Sequence, residues 1–201
     1  MNGFVGYDLP PMGHREDLLD GAKRCLYEKG YARTTARDIV AASGTNLASI
    51  GYHYGSKENL LNAALMSATE DFGEAVGAAV GDGPPEADPY ERFEAVFTRV
   101  LEQYATYRPL WSATFESVSQ VDHADAVREF FATVQGMAHR EMSRLWFGTP
   151  DDVEVTDPAH VQVGQLLQAV LIGLMGQMLI DPTQAPTAKD LSAALRTMTA
   201  R

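Results

Sequence analysis

Cysteine is almost absent: Cys25 is the single one in 201 residues. No intrachain disulfide forms, and no thiolate metal site can be assembled. Such a chain fits a reducing cytosol, and a cytoplasmic location is expected. Basic charge is scarce as well. Sixteen Lys and Arg face 27 Asp and Glu, a formal net charge of −11, which argues against a surface that is basic throughout. No basic stretch followed by an apolar run opens the chain, so a secretory signal is not expected. The histidines His14, His53, His123, His139 and His160 form no His-Glu-x-x-His and no i,i+4 pair. His139-x-Glu141 and His123-x-Asp125 diverge on a helix. The reading is no metal and no cofactor. Nucleophile elbow, phosphate loop and dinucleotide fingerprint are all missing. No catalytic residue is assigned, and no enzyme activity is expected. No segment alternates with the period of a strand.

What is present is helical periodicity. Hydrophobic residues make up 45% of the chain and charged residues 21%, ordinary for a folded domain with a core. The first helix is predicted over Arg15–Lys29, ended by Gly30. A long one starts at Lys57 and reaches about Val80, with Leu60, Leu61, Leu65, Phe72 and Val76 in register. Gly81-Asp82-Gly83-Pro84-Pro85 breaks it, and 81–89 reads as a loop. Another helix begins at Tyr90 and is expected to end or kink at Arg108-Pro109. A shorter one follows from Leu110 to about Val121, then one from about His123 to Phe147. Pro158 suits the first turn of the next, which runs to Ile180, and the last covers about Thr187–Met198. The fold class is all-α, with nine to ten helices.

The stretch Thr34–Leu61 is different in kind. Thr35 and Asp38 have the spacing of a capping box. Gly44 suits a left-handed helix end, and Asn46 suits the cap of the next helix. That next helix carries Leu47, Ile50 and Tyr54 at helical spacing, and Ser56 caps a third. A helix, a short glycine turn and a helix is the layout of a DNA-reading helix-turn-helix. Thr34-Thr35, Ile39, Ala42-x-Gly44, Ser49-Ile50, Tyr52-His53-Tyr54 and Ser56-Lys57-Glu58-x-Leu60-Leu61 together resemble the N-terminal domain of TetR-family transcriptional repressors. The resemblance covers roughly residues 14–61. Gly51 departs from it, standing where the family usually has a side chain, and Thr45-Asn46 replaces the common Val-Ser.

Residues 1–13, with Gly3, Gly6, Pro10, Pro11 and Gly13 and no periodicity, read as a flexible leader. The resemblance makes 14–61 the DNA-binding domain and 62–201 a C-terminal effector-binding and dimerisation domain. It implies phosphate contacts from Thr34, Thr35, Tyr52, His53 and Lys57. Base readout falls to Asn46, Ala48, Ser49 and Gly51, with Arg37 a further candidate for base or phosphate. Apart from Asn46 these readers are short, so thymine methyls or DNA shape carry more of the preference. Tyr54 takes the buried aromatic position. The charge distribution agrees: residues 14–61 hold seven Lys/Arg and six Asp/Glu, whereas 62–201 hold nine and twenty. An acidic body is expected to repel DNA away from the reading face.

Two further surfaces are expected in the C-terminal part. The helix Pro158–Ile180 has no charge between Ala159 and Ile180 and is long enough to span a bilayer. His160, Gln162, Gln165, Gln168 and Gln177 interrupt it and acids flank it, so it reads as a buried or interfacial helix, with no membrane partner. In the resembled family the last long helices of two subunits pack as a four-helix bundle. Phe131, Met142, Leu167, Leu171, Leu174 and Met178 are the candidate dimer contacts. Tyr104, Tyr107, Trp111, Phe115, Phe130, Met137 and Met175, with Gln168 as a polar group, are the candidate lining of an effector pocket. The expected function is a homodimeric repressor released from a palindromic operator by a small apolar or amphipathic effector of unknown identity. The alternative is a regulator of the same kind acting as an activator, or without a ligand.

Overall fold

A computed structural model describes residues 13–80, 88–119, 125–150 and 152–200. These form α1 (Gly13–Lys29), α2 (Ala36–Ser43), α3 (Leu47–Tyr54), α4 (Lys57–Val80), α5 (Pro89–Val118), α6 (Asp125–Phe147), α7 (Pro158–Ile180) and α8 (Ala188–Thr199). No strand occurs among the described residues. The expected leader up to Met12, most of the loop at 81–89 and the expected helix start at His123 lie outside them.

Short-range chemistry sets the first three helices. The Thr35 hydroxyl accepts from the Asp38 N–H, and the Asp38 carboxylate accepts from the Thr35 N–H, closing the capping box of α2. Gly44 at φ 70° ends that helix in the left-handed region, where a Cβ is strained. The Asn46 carboxamide oxygen accepts from the Ser49 N–H and caps α3. The Asn59 N–H donates to Ser56 Oγ at the start of α4. Leu18, Leu26, Ile39, Ile50, Leu60, Leu61 and Leu65 are buried together as one small core. Lys29 Nζ donates to Asp38 Oδ1 at 2.6 Å, and Arg24 donates to the Ala42 carbonyl at 2.5 Å. Both tie α1 to α2.

Helix α4 leaves this head and enters the rest of the chain, the body. Phe72 lies edge-on to Tyr107 at 5.2 Å and to Trp111 at 5.4 Å between ring centroids. A second tie runs from α5 back to the head: the Tyr31 N–H donates to Glu116 Oε2 at 2.6 Å. Tyr31 is itself buried, and its hydroxyl donates to Asn62 Oδ1 at 2.9 Å. Burial, helped by the Glu58 carboxylate, pushes that phenol up to about 12, so it stays a neutral donor at any physiological pH.

The helix count corrects the sequence reading: eight helices stand among the described residues, not nine to ten. Of the end or kink expected at Arg108-Pro109, the end does not occur: α5 runs through Pro109 for 30 residues, and the separate helix expected from Leu110 is its continuation. Helices α6 and α7 pack most closely of all. A Cβ at Gly164 would overlap the His139 carbonyl oxygen, so the two backbones nearly touch there. Helix α7 is long and apolar enough to cross a membrane by composition, yet Gly164, Leu167, Leu171, Leu174 and Met175 are buried within the chain.

Candidate nucleic-acid interface

Four residues of α3 face solvent: Leu47, Ala48, Gly51 and Tyr52. Ser49 and Ile50 face the head's core. Tyr52 is 64% exposed and sits edge-on to the half-buried His53 at 4.8 Å. Gly51 is open, with nothing within 4 Å of where a Cβ would stand. On one flank lies the N-terminus of α2, with Thr35 and Arg37 exposed. At the start of α4 lies Lys57, whose Nζ donates to the Thr34 carbonyl at 3.3 Å and pairs with Glu58 at 3.4 Å. Free first-turn N–H groups and a lysine on the borders of an exposed helix suit phosphate oxygens.

Two expected contacts fail on geometry. Thr34 is 1% exposed, and its hydroxyl donates to the carbonyls of Gly30, at 2.7 Å, and Cys25, at 3.2 Å. It splices α1 to the turn before α2 and presents no hydroxyl to a phosphate. Ser49 is also 1% exposed, because i and i+1 positions with Ile50 turn it into the core, and it cannot reach a base edge. Thr35 and Asn46 are exposed, but each uses its side chain as a helix cap. Tyr54 is half-buried, and its hydroxyl donates to the Arg15 carbonyl at 2.8 Å.

The sequence reading gave Leu47 only as a residue at helical spacing with Ile50 and Tyr54 and did not name it among the residues facing DNA, yet it is 53% exposed. Its i, i+3 spacing to Ile50 concealed this, because in an eight-residue helix the first turn overhangs the core. The better signal was its neighbourhood with Ala48, Gly51 and Tyr52 on one side.

In the body, Tyr104, Trp111 and Met175 are buried, while Tyr107, Phe115, Phe130 and Gln168 are half-buried. The Tyr104 hydroxyl and Trp111 Nε1 are buried with no hydrogen-bond partner among the described residues. The Tyr107 hydroxyl donates to the Asp71 carbonyl at 3.2 Å, on α4. Met137 does not belong to this group: it is 41% exposed on the outer side of α6. An open groove of about 600 Å³ lies elsewhere, between α5 and α8. It is polar and contains none of these residues: Glu91, Glu94, Thr98, Arg99, Glu102 and Arg196 line it with Ala95.

The expected dimer contacts also divide. Leu167, Leu171 and Leu174 are buried inside a single chain, since they form the inner stripe of α7, and they offer nothing to a partner. Phe131, Met142 and Met178 are half-buried. The outward side of α7 carries Leu166, Ala169, Ile172 and Gly173 instead, all exposed.

Comparison with known proteins agrees with this architecture. Residues 18–64 match the family model described as bacterial regulatory proteins, tetR family. The HTH-type transcriptional repressor AcnR of Corynebacterium glutamicum is 36% identical over 129 residues, which are 59% of this chain and 65% of that protein. The chain therefore spans just under two thirds of that relative's length. The structure of a TetR-family member from Streptomyces coelicolor is 26% identical, with a TM-score of 0.65 over 90% of this chain and 97% of that one. The multidrug binding protein EbrR, solved with imidazole, shares the fold at 22% identity, with a TM-score of 0.68 over 98% of this chain and 97% of its own. Residues 18–64 thus match the head of the tetR family of bacterial regulatory proteins, and the chain as a whole shares the fold of a solved tetR-family member.

Proposed function

We propose that this chain is a homodimeric transcriptional repressor that binds a palindromic operator and is released from it by a small apolar or amphipathic effector. The observation that carries the reading is the exposed side of α3, bordered by the start of α2 and by Lys57. In this reading α3 enters the major groove. Arg37, Tyr52, His53 and Lys57 hold the phosphates on either side, Thr35 shapes the start of α2 beside them as its cap, and Ala48 and Gly51 face the bases. AcnR, named a repressor, supports the direction of regulation.

The outward side of α7 supports the dimer. Leu166, Ala169, Ile172 and Gly173 form an uncharged strip with two of its aliphatic side chains well exposed, and a second copy covers such a strip. Two heads then reach successive turns of a duplex. The unpartnered Tyr104 hydroxyl and Trp111 Nε1 support a ligand within the body, as does the ligand-bound state of EbrR. Phe72 touches Trp111 and stands on α4, so a ligand there shifts the helix that carries Lys57. Ligand and DNA then oppose each other by linkage. The work of residues 14–61 is to read and that of 62–201 to sense and pair, in the cytoplasm.

A gel-shift series against the duplex upstream of the chain's own gene tests the reading. Lys57→Ala is expected to weaken binding to every sequence and to lower the salt slope by roughly one per head. An unchanged slope removes Lys57 from the phosphate contacts, and no retained duplex at all removes the function.

A further inference from the structure

Leu47, Ala48, Gly51 and Tyr52 stand at i, i+1, i+4 and i+5, which is one side of a helix. Leu47 heads this side at 53% exposure, one of the large hydrophobic side chains left uncovered by the described chain. Hydrogen-bonding readers are missing around it. Arg, Lys, Asn and Gln, the side chains that pair bidentately with guanine or adenine, do not occur between Leu47 and Tyr54. The one amide nearby, Asn46, has its oxygen engaged by the Ser49 N–H at 3.1 Å, whereas adenine is read by an amide's oxygen and nitrogen together. The Ser49 hydroxyl is buried. The groups suited to phosphate frame this side: Arg37 and the start of α2 on one flank, Lys57 at the start of α4, and the polar tips of Tyr52 and His53 at the far end of α3. An apolar strip framed by such groups matches the floor of a major groove between two phosphate walls.

The floor of that groove offers an aliphatic side chain one base-specific partner, the C5-methyl group of thymine. We propose that Leu47, seconded by Ala48, reads thymine methyl groups, and that the bare Gly51 lets α3 seat closely enough to do so. Leu47 is then a specificity-determining residue, and each operator half-site carries thymine where it meets the first turn of α3. The inference rests on the operator-binding reading above and gives it a base preference.

Deoxyuridine makes the test, because it lacks only the methyl group and keeps pairing and charge. Random duplexes are enriched on the wild-type protein, and the selected site is synthesised with thymine or with deoxyuridine in its half-sites. Wild-type protein is expected to bind the deoxyuridine form more weakly, by about fourfold for each contacted methyl. Leu47→Ala is expected to weaken binding to the thymine form and to bring the two forms within about twofold, the signature of a coupled pair. Its thermal midpoint stays at the wild-type value, because the side chain is exposed. Leu47→Gln is expected to move the enriched site toward adenine at the same position. Equal binding of both forms by wild type overturns the inference and leaves operator binding standing. So does a thymine–deoxyuridine difference that survives Leu47→Ala. Failure to enrich any duplex overturns both.

Discussion

Asp38 joins three contacts at one carboxylate: the Lys29 ammonium, the Thr35 hydroxyl and the Thr35 backbone N–H. The hydrogen bond from Lys29 leads in holding its carboxyl well below the usual carboxylate range, and the two bonds from Thr35 follow. A folded value below the unfolded one makes the contribution to stability complete above the ordinary Asp value of about 3.9 and lost as pH falls through the depressed folded value. The stability gap between wild type and Asp38→Ala is therefore expected to be constant near neutral pH and to narrow below about pH 4. Urea unfolding at a series of pH values measures it, and a gap that stays level to the acid end would assign the effect to something other than the ionised carboxylate. Gly51 gives a second expectation. A Cβ there meets open space, so Gly51→Ala is expected to stabilise α3 by up to about 1 kcal/mol while weakening operator binding through the added atom on the groove side. A variant gaining both stability and affinity would remove Gly51 from the interface. At this scale the caps were legible in the sequence, because Thr35–Asp38 and Asn46–Ser49 are settled within four residues. Thr34 and Ser49 were not. Each has the residue type of a DNA contact, and only the packing of α1 and α3 shows that the hydroxyls point inward.

Helix ends were read well where glycine or a cap fixed them, and α7 was read to its bounds. Helix α5 was not, because proline removes one hydrogen bond and crowds the preceding turn at a cost of about 3 kcal/mol, which reads locally as a stop. Burial on both sides of Pro109 outweighs that cost: Tyr104 before it and Leu110, Trp111 and Ala113 after it are all buried. Ala105, whose carbonyl loses its partner, is exposed to solvent. A helix apolar around its girth likewise hides which stripe is inner. Leu167, Leu171 and Leu174 are as hydrophobic as Leu166 and Ile172, and only the approach of α6 separates them. That approach is set at Gly164. A Cβ there meets the His139 backbone, which cannot rotate away as a side chain would. Gly164→Ala is expected to push α6 and α7 apart and to destabilise the chain by about 1–3 kcal/mol. Gly73→Ala on α4, exposed with nothing within 4 Å of its Cβ, is the matched control and is expected to stabilise by up to about 1 kcal/mol. Thermal melts of both compare them, and equal midpoints would mean that α6 and α7 have room to spare.

Across the whole molecule, charge and apolar surface are divided between the two ends. Residues 14–61 carry a net charge of +1 and 62–201 one of −11, so head and body present opposite prospects to a polyanion, and this much the sequence alone made legible. The proposed pairing surface lies on the helix the sequence pointed to but on another stripe of it, since only packing within the chain tells the inner stripe from the outer. Leu166 is 55% and Ile172 37% exposed on α7, and no charged residue lies beside them on that helix. Covering this strip with a second copy links two heads, and linkage turns the second half-site contact into an intramolecular one. Placing two acids there, Leu166→Glu with Ile172→Glu, is expected to leave each chain folded, since neither side chain belongs to the monomer's core. Light scattering is expected to give the mass of one chain for the variant and two for wild type. Binding to the palindromic duplex is expected to fall to that of an isolated half-site, with its salt slope roughly halved as the phosphate contacts of one head are lost. A variant that keeps the doubled mass places the pairing surface elsewhere than on the outward side of α7. A monomeric variant that still holds the palindrome at wild-type strength shows that one head suffices, and pairing then has no part in the affinity.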